Sequence, residues 1–262
     1  MTRTALITGA SAGLGFEFAR QLAAQGYDLV LVARREHKLE EVAQGLRTAF
    51  PSATIRTLAA DLSEPEAPAD IQQCCQDLAI EVDYLVNNAG AAGPGLLSDV
   101  PWPEQQRYLR LMMTSVTELC HRFVPGMAQR GFGRVVNVAS VAGRIATRGD
   151  CHYGPSKAYL IALSEALALT VKPQGVHVSV LCPGFTHTDF HEVAGMLDMK
   201  RSLPSWIWYD AEVVVREGLL AVERGQAIKL SGRVYRWIDP LLQSVIFRPL
   251  IKAFGPAPLD DR

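Results

Sequence analysis

Tyr153 and Lys157 stand four residues apart in a stretch, Tyr153 to Val171, whose pattern predicts a helix, so their side chains share one face and can meet. A phenol titrates near ~10 in water, and an ammonium beside it favours the phenolate, which moves the group toward proton transfer at neutral pH. Thirteen residues upstream of Tyr153, Ser140 ends the strand-like run RVVNVAS and brings a hydroxyl that donates and accepts hydrogen bonds. Each residue alone has a plainer reading. Tyrosine and lysine at this spacing are common on exposed helices, and a lone serine caps helices and shapes turns.

A second kind of chemistry is written at the start of the chain. Residues 4–15 read TALITGASAGLG, a strand that passes into Gly9, Ser11, Gly13, Leu14 and Gly15 before a helical pattern begins. Backbone comes close to a phosphate only where side chains are absent, and a helix N-terminus adds unpaired N–H groups and partial positive charge. A tight turn without a ligand is the alternative, although the strand–turn–helix context such a motif requires is present.

These groups need elements to position them. Seven short runs rich in Val, Ile and Leu read as strands buried on both faces: Thr4 to Thr8, Asp28 to Ala33, Thr54 to Leu58, Val82 to Val86, Arg134 to Ala139, His177 to Leu181 and Ala227 to Leu230. Amphipathic stretches alternate with them: Leu14 to Gln25, Glu36 to Ala49, Glu66 to Leu78, Pro103 to Arg130 and Tyr153 to Val171, several closed by Gly or Pro. The alternation predicts an α/β fold, a doubly wound, Rossmann-type parallel sheet of seven strands with helices on both faces. No linker or repeat interrupts it. One domain is expected over 1–262, with its regular body ending near residue 235.

With those motifs in place, the sequence resembles the short-chain dehydrogenase/reductase family. The resemblance rests on Thr8 to Gly15 as TGASAGLG, Asp61 before Leu62, Asn87 to Gly90 as NNAG, Ser140, Tyr153 and Lys157 as YxxxK, and Pro183 with Gly184, in family order over residues 8–188. It implies a nicotinamide dinucleotide across the carboxyl ends of the strands. The glycine-rich turn would face its phosphates, Asp61 and Leu62 its adenine, and Asn87, Ala89 and Gly90 its ribose. Pro183, Gly184 and Thr188 would hold the carboxamide. Tyr153 would be the general acid in ketone reduction, Ser140 would hold the carbonyl oxygen, and Lys157 would also bind the nicotinamide ribose. After the second strand, where a carboxylate would accept hydrogen bonds from an NAD ribose, the chain has Arg34 and Arg35, which suits the 2′-phosphate of NADP(H). Solvated arginines pairing with Glu36 or Glu40 are the plainer reading. The family also places an asparagine after the fourth strand to retain a water beside the lysine. The corresponding residue here is Met112, and no asparagine occurs from Pro103 to Arg130.

Residues 185–209 supply Phe185, Phe190, Met196, Leu197, Met199, Leu203, Trp206, Ile207 and Trp208, an apolar set that favours a lipid-like, steroid-like or aromatic carbonyl. Beyond about residue 236 the tail is amphipathic, with Leu241, Leu242, Val245, Ile246, Leu250 and Ile251 on a face broken by Pro249. Packing on the body or on a second subunit is expected of it, with contact to a membrane surface as the alternative. His152, His187 and His191 have no persuasive metal spacing, and no metal is expected. The 262 residues carry 26 Lys+Arg against 27 Asp+Glu, and 48% are hydrophobic. That balance excludes bulk attraction to nucleic acid and excludes disorder as the main state. Five cysteines without a CxxC pair read as reduced thiols. A cytoplasmic address is expected, since no run reaches about 18 apolar residues and no signal-peptide pattern opens the chain. The function expected is an NADP(H)-dependent oxidoreductase of hydrophobic carbonyls or secondary alcohols, acting as a homo-oligomer. The alternative is an NADP(H)-binding protein with little turnover, serving sensing or interaction.

Overall fold

The computed structural model describes residues 2–188, 204–247 and 249. Its main sheet contains β1 (Thr4–Thr8), β2 (Asp28–Ala33), β3 (Ile55–Ala59), β4 (Val82–Asn87), β5 (Gly133–Val138), β6 (Val176–Cys182) and β9 (Ile228–Leu230). They lie in the order β3-β2-β1-β4-β5-β6-β9, all parallel. Every strand falls within one residue of its expected bounds. The alternation explains why: a strand covered on both faces reads as a continuous apolar run. In β1, Ala5 and Ile7 enter one core with Phe18, Leu39 and Val214, while Leu6 enters the other with Ile71, Leu119 and Val135.

Helices α1 (Gly13–Ala24), α2 (Glu36–Ala49) and α7 (Ala211–Glu223) cover the first face. Helices α3 (Ala67–Asp77), α5 (Ser115–Gln129) and α6 (Tyr153–Val171) cover the second. The sequence expectation of one long helix from Pro103 to Arg130 is corrected. The segment is α4 (Trp102–Leu109), a π-helical turn (Arg110–Thr114) and then α5. A π turn adds one residue without breaking the chain of helical hydrogen bonds, so hydrophobic spacing does not reveal it. Further elements go beyond the expected series, α7 among them. A small sheet pairs β7 (Thr186–His187) with β8 (Tyr209–Asp210), and α8 (Arg233–Gln243) begins ahead of the expected tail and holds Pro240 inside it. Chain order reverses between β1 and β4, so their carboxyl ends open a crevice where doubly wound sheets bind ligands.

Candidate active site

The glycine-rich turn closes the end of β1 at that crevice. Gly9 and Gly13 have φ of +66° and +55°, in the left-handed region where side chains are strained. A Cβ on Gly9 would come within 2.8 Å of Asn88 Nδ2 and 2.9 Å of Ala89 Cα, and one on Gly15 would collide with the Gly9 carbonyl. Helix α1 follows from Ala12 with no side-chain cap, leaving its first N–H groups for another acceptor. Thr188 lies over the turn, its Cβ 3.4 Å from where a Gly13 Cβ would sit. A Cβ-free cradle with uncapped N–H groups fits a dinucleotide's phosphates.

Two residues inside the quoted motifs, to which the sequence assigns no role of their own, fasten this turn to β4. Thr8 Oγ1 accepts from the backbone N–H of Asn88 at 3.0 Å and of Ala89 at 3.1 Å, and donates to Val86 O at 3.3 Å. Asn88 Nδ2 donates to Thr8 O at 3.0 Å. Asn87 sits differently from its neighbours. It is buried, and its amide donates to Asn137 Oδ1 at 2.8 Å while Asn137 donates to Ser164 Oγ at 2.9 Å. Its side chain therefore ties β4 to β5 and α6.

Arg34 and Arg35 follow β2 and are exposed. The carboxylate beside Arg34 is that of Asp61, whose Oδ2 lies 4.0 Å from Arg34 Nη1 and 3.5 Å from Arg107 Nη2. The pairing of Ala33 with Ala59 explains the approach, since it brings the ends of β2 and β3 side by side. Burial works against the Asp61 charge, but the Ser63 N–H and hydroxyl and the two guanidiniums hold its carboxyl below the usual range. Leu62 beside it is buried.

Ser140 follows β5 and starts a 3-10 turn (Val141–Arg144), its Oγ accepting from Ala142 N at 3.1 Å. That bond leaves the hydroxyl proton free to be donated. Tyr153 opens α6 and hydrogen-bonds with Ser140; burial raises its pKa and that bond opposes the rise. The sequence expectation that Lys157 draws the phenol downward is not what the structure shows. Lys157 Nζ donates to Val138 O at 3.0 Å and stands 5.6 Å from the Tyr153 ring centroid. Its own burial pushes it down to about 8. A phenol held protonated suits a proton donor. Met112, in the π turn, is 1% exposed. Its Sδ and Lys157 Nζ flank Gly90, 3.4 and 3.6 Å from where a Gly90 Cβ would be.

The far wall comes from the end of β6. Pro183 O accepts from Val141 N at 3.0 Å, the Tyr235 ring of α8 covers Gly184, and Tyr235 Oη accepts from Phe185 N at 3.2 Å. Trp208 packs on Phe185 and His187, with ring centroids 5.1 and 5.4 Å apart. Trp206 is exposed, and Phe190, His191, Met196, Leu197, Met199 and Leu203 lie outside the described residues. Among the described residues no three His, Cys, Asp or Glu side chains gather as a metal site, and no helix is long and apolar enough to cross a membrane.

A family model described as short chain dehydrogenase matches residues 3–195. The chain belongs to this family. A ketoacyl reductase of Nostoc is 33% identical over 70% of this chain, and the match spans only 63% of that relative's length. The 3-oxoacyl-[acyl-carrier-protein] reductase of Escherichia coli is 31% identical over 71% of this chain and 75% of its own. Among solved structures, a short-chain dehydrogenase from Sphingobium yanoikuyae in complex with NADPH is 31% identical, with a TM-score of 0.81 and 99% of both chains covered.

In this short-chain dehydrogenase, the buried Lys157 sets a pH signature. Its ammonium prevails below about 8, whereas the raised Tyr153 stays protonated beyond that point. With Lys157 and Tyr153 in the roles that the family resemblance implies, the rate of carbonyl reduction is expected to be flat below about pH 8 and to fall above it, as a kcat/KM profile would report. Stability should respond in the opposite sense. A depressed lysine means that the unfolded chain binds more protons between about 8 and 10.5, so the burial penalty is complete below that window and relieved as pH rises through it.

Proposed function

We propose that the chain is an NADP(H)-dependent oxidoreductase that interconverts carbonyls and secondary alcohols of hydrophobic substrates. The observation that carries the proposal is the meeting of Ser140, Tyr153 and Lys157 at the carboxyl edge of the sheet, beside the Cβ-free cradle of Gly9, Gly13 and Gly15. The nicotinamide, when bound, supplies or accepts the hydride. The chain's own residues do the rest. Ser140 donates a hydrogen bond to the carbonyl oxygen, Tyr153 gives that oxygen its proton, and Lys157 holds the ribose and the local positive charge. The cradle and the start of α1 hold the phosphates. Asp61 and Leu62 hold the adenine side, and the backbone at Asn87, Ala89 and Gly90 admits the ribose. Pro183, Gly184 and Thr188 hold the carboxamide. Arg34, with Arg35, selects the 2′-phosphate. The NADPH complex of the Sphingobium enzyme supports this cofactor choice.

The apolar wall of Phe185 and Trp208 supports a hydrophobic substrate, as do the ketoacyl and oxoacyl reductases among the relatives. Measured across 3-oxoacyl thioesters and ketones of increasing apolar length, kcat/KM should rise with length. A preference for short or sugar-like carbonyls would overturn the substrate class. We place the chain in the cytoplasm, a reading supported by five free cysteines, and read it as a single catalytic domain built on the one seven-stranded sheet of the described residues. Helix α6 turns Ala158, Ala162, Ala166 and Leu169 outward, which supports a homo-oligomer meeting there.

Met112 favours a second reading, a binder with little turnover, because a thioether beside Lys157 donates nothing and accepts weakly. If reloading Tyr153 with a proton limits the rate, Met112→Asn should raise turnover and shrink the solvent isotope effect without changing NADPH affinity. Burying an unpartnered amide costs about 1 to 3 kcal/mol, so melting is measured beside the kinetics. A stable variant with unchanged turnover and isotope effect would remove the relay from the account.

A further inference from the structure

We infer that Arg144 and Asp239 are positioning residues for Ser140, which makes the C-terminal helix α8 a working part of the catalytic site. This rests on the catalytic reading proposed above. Arg144 ends the 3-10 turn that Ser140 begins. Its guanidinium grips Asp239 of α8 with two hydrogen bonds, Nε to Oδ1 at 2.7 Å and Nη2 to Oδ2 at 2.8 Å. The side chains are 15% and 13% exposed. A fork of this kind fixes direction as well as distance, and partial burial protects it from the screening that weakens surface pairs. The backbone of the same residue is held too, since Gln243 Nε2 donates to Arg144 O at 2.7 Å.

That grip presses the turn onto the catalytic helix. A Cβ on Gly143 would come 2.7 Å from the backbone carbon of Lys157 and 2.8 Å from Ala158 N, so the turn lies directly on α6 beside the lysine. At its other end Ser140 is fixed through local bonds, with Ala142 N donating to its Oγ and Gly143 N to its carbonyl. The Ser140 hydroxyl therefore faces Tyr153 only while the turn keeps this seat. From one turn earlier in α8, Tyr235 reaches the opposite wall at Gly184 and Phe185. One helix thus braces both sides of the site. No local sequence signal links Arg144 to a carboxylate 95 residues away.

The test is a double-mutant cycle in NADPH-dependent reduction of the best 3-oxoacyl thioester or hydrophobic ketone. Asp239→Ala should lower kcat by about ten-fold or more and leave NADPH affinity within about two-fold, because Arg144 and Asp239 bond to each other and neither belongs to the phosphate cradle of Gly9, Gly13 and Gly15. In a Ser140→Ala background the same change should cost less than about two-fold, since nothing remains to be positioned. The exchanged pair, Arg144→Asp with Asp239→Arg, should recover part of the lost kcat. If the alanine variant does not fold, Asp239→Asn takes its place in the same cycle. Equal losses with and without Ser140 would overturn the inference by showing general damage. So would an Asp239 variant with unchanged kcat. A wild-type chain that binds NADPH but turns over none of these substrates would instead defeat the catalytic reading, and this inference with it.

Discussion

Tyr153→Phe is expected to lower turnover by at least about 10²-fold while NADPH binding stays within a few-fold of the parent. The substitution removes one oxygen and its proton and keeps the ring. The ring packs at the start of α6, and burial already holds the phenol protonated, so the variant loses the donor without a change in the local charge. Steady-state kinetics beside a fluorescence titration of NADPH separate the two effects. Residual activity near the parent would assign the proton to another group. Lys157→Ala should damage binding and turnover together, and Ser140→Ala mainly turnover.

Arg34→Asp is expected to reverse the cofactor preference, weakening NADPH by roughly 2 to 4 kcal/mol through a lost charge-assisted bond and a new repulsion. The side chain of Arg34 is 66% exposed, and its contact with Asp61 is 4.0 Å long. Such a pair contributes little, so the guanidinium remains available to a phosphate. An aspartate at position 34 would stand beside Asp61, adding to the repulsion against a 2′-phosphate and offering an acceptor to a 2′-hydroxyl. The preference of the parent for NADPH over NADH should weaken as salt rises. Equal affinities of the parent for the two cofactors would sink the assignment.

What could be read from the sequence follows from what each feature demands locally. Gly9 and Gly13 are legible because their backbone angles exclude other residues, and the strands because burial on both faces leaves runs such as LVLV. Helix α6 spans the residues its pattern predicts, from Tyr153 to Val171, because Pro173 and Gly175 mark its end. The features that escaped depend on contacts distant in sequence. Asn88 clasps Thr8 across 80 residues, Asp61 reaches Arg34 only through the pairing of β2 with β3, and Asp239 meets Arg144 only once α8 has folded back. The Tyr153 phenol shifts upward, against the direction its spacing from Lys157 implies, for a related reason. Four residues of spacing place Lys157 on the same face, but the depth of burial and the bond to Val138 O belong to the packed molecule.

The central claim is that this chain transfers a hydride between NADPH and a carbonyl with Tyr153 as the proton donor. It is tested most directly by following NADPH oxidation by the wild-type chain and by Tyr153→Phe, each with 3-oxoacyl thioesters and hydrophobic ketones and with binding of NADPH verified in the same samples. The account predicts substrate-dependent oxidation by the wild type that is nearly abolished in the variant. Tight NADPH binding by the wild type without oxidation on any of these carbonyls would contradict it, and so would equal rates for the two proteins.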